Sequence, residues 1–196
     1  MRGGCPPALL SPNALLNALA DPPSREVVGS WTKHWKELDA SCGDGHCLGL
    51  EQALFDAVRT EGPVSFRAAW ALALLTKAQA LQSTDSCDRF FALLHGVTSL
   101  PIQRELLRAL LLLPWSEEQL DALTEWAIHA VFMDDLLPST LSQSLKVMER
   151  RLESGFVPVK AGLQQEMLDS LSHVGRGDFP RHAKKKAALL RARLSE

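Results

Sequence analysis

Tyrosine is absent from the 196 residues, and aromatic residues of all kinds make up only 6%. β-branched residues are few, which leaves little from which to build strands. Cysteine occurs four times, at positions 5, 42, 47 and 87, with irregular spacing. A chain of this length with 46% hydrophobic residues can bury a sizeable core without disulfide staples, so reduced thiols are expected. The first twenty residues lack the basic start, apolar run and small-residue cleavage site of a signal peptide. Apolar runs such as Ala109 to Pro114 are far too short to cross a bilayer, and Arg2 excludes N-myristoylation. A cytoplasmic protein with no membrane partner is therefore expected. Excess charge is also missing: the formal net charge is −2, which is not the footprint of a nucleic-acid binder. There is no GxSxG, no HExxH, no glycine-rich phosphate loop and no run of paired carboxylates. Asp134 and Asp135 are adjacent and diverge on a helix. No enzyme, no cofactor and no catalytic residue are expected.

What is present is helical punctuation. The stretch PVSFRAAWALALL, from Pro63 to Leu75, opens on proline, whose fixed φ and missing N–H suit a first turn. Phe66, Ala69, Trp70, Ala73 and Leu74 recur at spacings of three and four and define one expected buried face, with Trp70 in the core. Comparable stretches begin at Pro101, Pro138 and Pro180, at intervals of 38, 37 and 42 residues. Nine and ten residues after each proline the side chains are apolar or small, as at Leu72 and Ala73 or Leu110 and Leu111. A period near 40 with two helices per unit predicts an all-α fold, an α-α superhelix of about four helix pairs.

In chain order, residues 1–23 read as a partly flexible N-terminal segment. It carries a short helix begun by Ser11 as cap and Pro12 at the first helical position. Residues 24–196 read as a single repeat domain. Ser24 caps a helix with Val27, Val28, Trp31, Trp35 and Leu38 on one face, and 41–45 form a loop. Leu50, Leu54, Phe55 and Val58 make the next amphipathic helix. Ser83 or Thr84 starts another, with Phe90, Phe91 and Leu94 inward. Ser116 followed by Glu117 to Gln119 is a capped start, with Leu120, Leu123, Ala127 and Val131 buried. Val159, Leu163, Met167, Leu168 and Leu171 line a further helix.

Cys42, Asp44, His46 and Cys47 lie within six residues, but no second Cys/His pair follows, so no metal is expected there. Trp31, Trp35, Trp70 and Trp126 are in phase with Leu and Val and belong to the core; Trp115, after Pro114, is the exposed one. Arg67, Arg104, Arg108, Lys146 and Arg150 fall on the second helices of their pairs, where a helical solenoid binds partners. They are the candidate partner-binding residues, set against an ordinary solvated face in which Glu105 screens Arg104 from Arg108. Residues 176–196 carry seven Lys or Arg against two acids, a local +5 that leaves −7 on the rest. A capping helix needs such a polar outer face, so the Pro180 helix reads as a cap. Its expected apolar stripe is Ala183, Ala187, Leu189, Leu190 and Leu194.

These repeats resemble HEAT or armadillo-type units. Within that class, SREVVGSW from Ser24, VSFRAAWALALL from Val64 and SLKVMERRL from Ser144 resemble small bacterial HEAT-like proteins of unknown role. Such proteins are sometimes labelled adenylosuccinate lyase, but that enzyme's Ser-Ser-x-Met-Pro-x-Lys-x-Asn loop has no counterpart here. The resemblance implies a non-enzymatic protein-protein interaction scaffold working through a concave face. The alternative it implies is a HEAT-like nucleic-acid-binding protein or DNA glycosylase, for which Trp126 and Asp121 would be the nearest material.

Overall fold

The start signals read from the sequence act locally. Ser11 Oγ accepts the Ala14 N–H at 3.2 Å and begins α1, Pro12–Ala20. Ser116 Oγ accepts the Gln119 N–H at 3.2 Å, and Gln119 Oε1 accepts the Ser116 N–H at 3.0 Å, a complete capping box. Pro101 and Pro138 stand in the first turn of their helices. Pro63 and Pro180 stand just outside, in the turn or cap that sets the entry. In this computed structural model, which describes residues 9–21, 25–42, 46–60, 62–81, 85–155 and 162–195, every regular element is an α-helix. After α1 come α2 (Arg25–Cys42), α3 (His46–Arg59), α4 (Ser65–Lys77), α5 (Ser86–Gly96) and α6 (Leu100–Leu110). They are followed by α7 (Glu117–Val131), α8 (Pro138–Glu153), α9 (Leu163–Arg176) and α10 (Arg181–Leu194). No helix among the described residues is long and apolar enough to cross a membrane. The caps expected at Ser24 and at Ser83 or Thr84, residues 1–8, the loop at 43–45, the Cys42 side chain and Val159 lie outside the described residues.

The helices fall into two compact units, Met1–Leu113 and Pro114–Glu196. Within the first, α1 packs on α3 and α3 on α5, while α2 packs on α4 and α4 on α6; α3–α4 and α5–α6 also pack as pairs. Within the second, α7–α8 and α9–α10 are pairs, with α7 against α9 and α8 against α10. Odd helices thus lie on odd and even on even inside each unit.

The first unit is centred on α4, which touches α2, α3 and α6. Ala68, Ala69, Ala71 and Ala73 are buried with Leu72, Leu75 and Thr76. Their small side chains admit neighbours on several sides. The helix closes at Gln79, which takes a left-handed φ of 53° so that the Ala80 N–H reaches the Leu75 carbonyl at 3.0 Å. Of the expected buried face, Ala69 and Ala73 are buried, and the rest is corrected here. Phe66 is 38% exposed and Trp70 and Leu74 are half-buried, because the close approaches are made through the alanine-rich side. In α2, Val28, Trp31, Trp35 and Leu38 are buried and Val27 is exposed. In α5, Phe90, Leu93 and Leu94 point inward and Phe91 is half-buried.

The second unit follows the expected face of α7, with Leu120, Leu123, Ala127 and Val131 all buried. Trp126 sits half-buried at the margin of that face, and Trp115 is half-buried as well. In α9, Leu163, Met167 and Leu171 are buried as expected, joined by Ser170 and Val174, and Leu168 is half-buried. Gly162, with φ 90°, makes the left-handed entry to this helix. α10 buries Ala183, Ala187 and Leu190 at spacings of four and three, but Leu189 is 57% exposed, one step off that stripe.

Leu72 and Trp70 separate the two phases of α4. Leu72→Ala should cost about 2–5 kcal/mol, the range for truncating a fully buried leucine. Trp70→Ala should cost less, because part of its ring is already in water. Denaturant melts check the order; a larger loss at Trp70 would contradict the packing described.

Candidate functional site

The five basic residues expected to meet a partner divide between the units. Arg67 leaves α4 and donates from Nη1 to the carbonyls of Leu19 and Ala20, at 2.7 and 2.6 Å. These are last-turn carbonyls of α1 with no partner inside their own helix, so Arg67 caps α1 and ties it to α4. On α6, Glu105 is buried and held from both sides. Arg104 Nη2 lies 2.7 Å from Oε1 and Arg108 Nη1 lies 2.7 Å from Oε2. Glu105 does stand between Arg104 and Arg108, and one carboxylate orders both guanidinium groups. Arg104 also lies over the Phe66 ring, 5.8 Å from its centroid, within cation–π range. Phe66, Arg104, Glu105 and Arg108 thus form one connected surface group across α4 and α6.

In the second unit Lys146 is exposed on α8. One turn on, Arg150 lies 5.9 Å from the Trp115 ring centroid. Arg150 and Trp115 border a cleft of about 340 Å³ with Leu120, Glu153 and Ser154. The next residue, Arg151, shares the helix and the sequence pattern of Arg150 but not its exposure. It is 3% exposed, Asp121 is 4% exposed, and Arg151 Nε lies 2.8 Å from Asp121 Oδ1. This pair ties α7 to α8. Arg151 Nη1 also donates to Ser154 Oγ at 3.1 Å, and the Ser154 hydroxyl donates to the Arg151 carbonyl at 2.7 Å. The signal available in the sequence was Asp121 beside Leu120, in a helix whose apolar spacing left little room for a free carboxylate. Its partner thirty residues away carries no local mark.

Two further groups are placed. His46 Nε2 lies 3.1 Å from the Leu9 carbonyl, and the buried Cys47 thiol donates to the Trp35 carbonyl at 3.6 Å. Both side chains therefore point into the packing of α3. Among the described residues no three His, Cys, Asp or Glu side chains are grouped to hold a metal. On the basic C-terminal helix, Lys186 pairs with Glu149, and Arg193 approaches Glu153 at 3.8 Å, so two of its cations turn toward α8.

No family model, curated protein or solved structure matches this chain.

The Asp121–Arg151 pair should be costly to halve. Asp121→Asn removes a carboxylate charge from beside a buried guanidinium and should lose about 3–5 kcal/mol in denaturant melts. Replacing both residues with apolar ones of similar volume, Asp121→Leu with Arg151→Met, should recover most of that loss. A single-variant loss below about 1 kcal/mol would mean that water reaches the pair.

Proposed function

We propose that this protein is a cytoplasmic, non-enzymatic interaction scaffold built as a short HEAT-like helical solenoid. The odd-on-odd and even-on-even packing inside each unit supports the solenoid reading, since stacked helix pairs bury a continuous core in this way. One observation carries the binding reading. α4 shows water a stripe of Phe66, Trp70 and Leu74, at spacings of four, and α6 sets the ordered Arg104 beside Phe66. Half-exposed aromatic groups beside a pre-ordered arginine are the composition of interaction hot spots, where little side-chain entropy is left to lose on binding. The partner contacts then centre on Phe66, Arg104 and Arg108, with Arg67 acting from behind by holding α1. Lys146 and Arg150 serve the same role on the second unit.

The nucleic-acid reading draws less support. Lys186 and Arg193 are turned toward acids of α8, and Asp121, the carboxylate a glycosylase reading would use, is bound to Arg151.

Affinity capture with the intact chain, from the cells that make it, tests the scaffold. Phe66→Asp, with its fold checked by a melting curve, should remove the captured partner. The same partners retained at wild-type level would remove this face from the reading. Salt-sensitive binding to DNA or RNA at about 0.15 M salt would move the protein to the nucleic-acid reading.

A further inference from the structure

The second unit carries a cleft that the scaffold face does not use. The corner between α7 and α8, residues 132–137, lies across from the corner between α9 and α10, residues 177–180, and the space between is about 370 Å³. Its floor is apolar, formed by the buried Val131 and Leu141. Its aromatic wall is continuous: Phe132 meets His173 with centroids 4.8 Å apart, and His173 meets Phe179 at 5.5 Å. Phe132 is 50% exposed, and the adjacent Met133 is exposed too. Two exposed carboxylates, Asp134 and Asp178, also line the cleft, and neither has an ion pair or hydrogen bond among the described residues. No lysine or arginine lines it.

A glycine fixes the wall. A Cβ on Gly177 would stand 2.7 Å from the Phe179 ring and 3.0 Å from the His173 carbonyl. Only a residue without that atom lets the Phe179 ring fold back over the chain toward His173. A second depression, of about 480 Å³, continues from the first along the last turn of α9. It shares His173 and adds Asp169 and Arg176.

We propose that this cleft receives an arginine or lysine side chain of a basic segment of a partner polypeptide. The cation lies against the faces of Phe132 and Phe179, where the ring quadrupole attracts it. Asp134 and Asp178 supply the opposite charge and accept its hydrogen bonds. The neighbouring depression gives the main chain on one side of that residue a place to run, which suits an extended peptide better than a compact free amine. From the scaffold reading this takes only that the partner is a polypeptide.

The test uses the full chain and a fluorescein-labelled peptide of alternating glycine and arginine, read by anisotropy at low salt, with a glycine–glutamate peptide as the reversed charge. The arginine peptide should bind, the glutamate peptide should not, and added salt should weaken binding because the carboxylates are exposed. Asp134→Asn with Asp178→Asn should weaken it about tenfold, as should Phe132→Ala, which leaves every charge in place. Gly177→Ala should also weaken it by displacing Phe179. Glu118→Gln, an exposed acid at the start of α7, should change nothing. Melting curves confirm that each variant is folded. Absence of binding overturns the proposal, as does binding that Phe132→Ala leaves unchanged, which would be attraction to an acidic surface only. Competition by spermine as effective as that of unlabelled peptide also overturns it, in favour of a small-amine site. The outcome is independent of the capture experiment, which is read at Phe66 in the other unit.

Discussion

Close approach of helices through small side chains is the constraint on which the first unit depends. Four buried alanines on α4 let α2, α3 and α6 come near the same helix, and the larger side chains of those neighbours fill the space between. Leu50 and Leu54 of α3 and Leu106, Leu107 and Leu110 of α6 are the buried bulk that those two helices bring to the packing. Interiors pack near crystal density, so a helix offering little volume on one side must be matched by bulk from outside it. The same economy displaces Phe66 and Trp70. Once the alanine side is taken up by neighbours, the aromatic residues are left at the margin, and the margin is where a partner can reach them.

Polar groups inside the packing follow a different logic. Glu105 and the Asp121–Arg151 pair are withdrawn from water, which is costly for any charge, and each is offset by a charge held at hydrogen-bond distance. Their effect is positional. Glu105 orders two arginines at the surface of α6. Arg151 fixes α8 against α7 and so sets where the preceding residue, Arg150, meets Trp115. In both units a buried acid thus determines the geometry of a surface cation beside an aromatic ring.

The sequence by itself determined what depends on neighbours three or four residues apart. The Ser11 cap, the Ser116–Gln119 capping box and the prolines at 101 and 138 fix helix starts, because each satisfies or spares a backbone N–H within one turn. Among the described residues no strand forms, in keeping with the scarcity of residues that suit a pleated surface. The faces of α3 and α7 were legible because most of their large apolar residues fall on one side. Tertiary structure decided the rest. α4 is apolar nearly all round, so its periodicity cannot choose a side, and packing among α2, α3 and α6 buried the alanines and left Phe66 at the margin. Leu189 and Leu190 are chemically alike, and only the positions of α8 and α9 buried the second and left the first in water. The Asp121–Arg151 pair and the Phe132–His173 contact join residues thirty or more positions apart. Side-chain contact at that separation exists only after the helices have packed, and no local pattern encodes it.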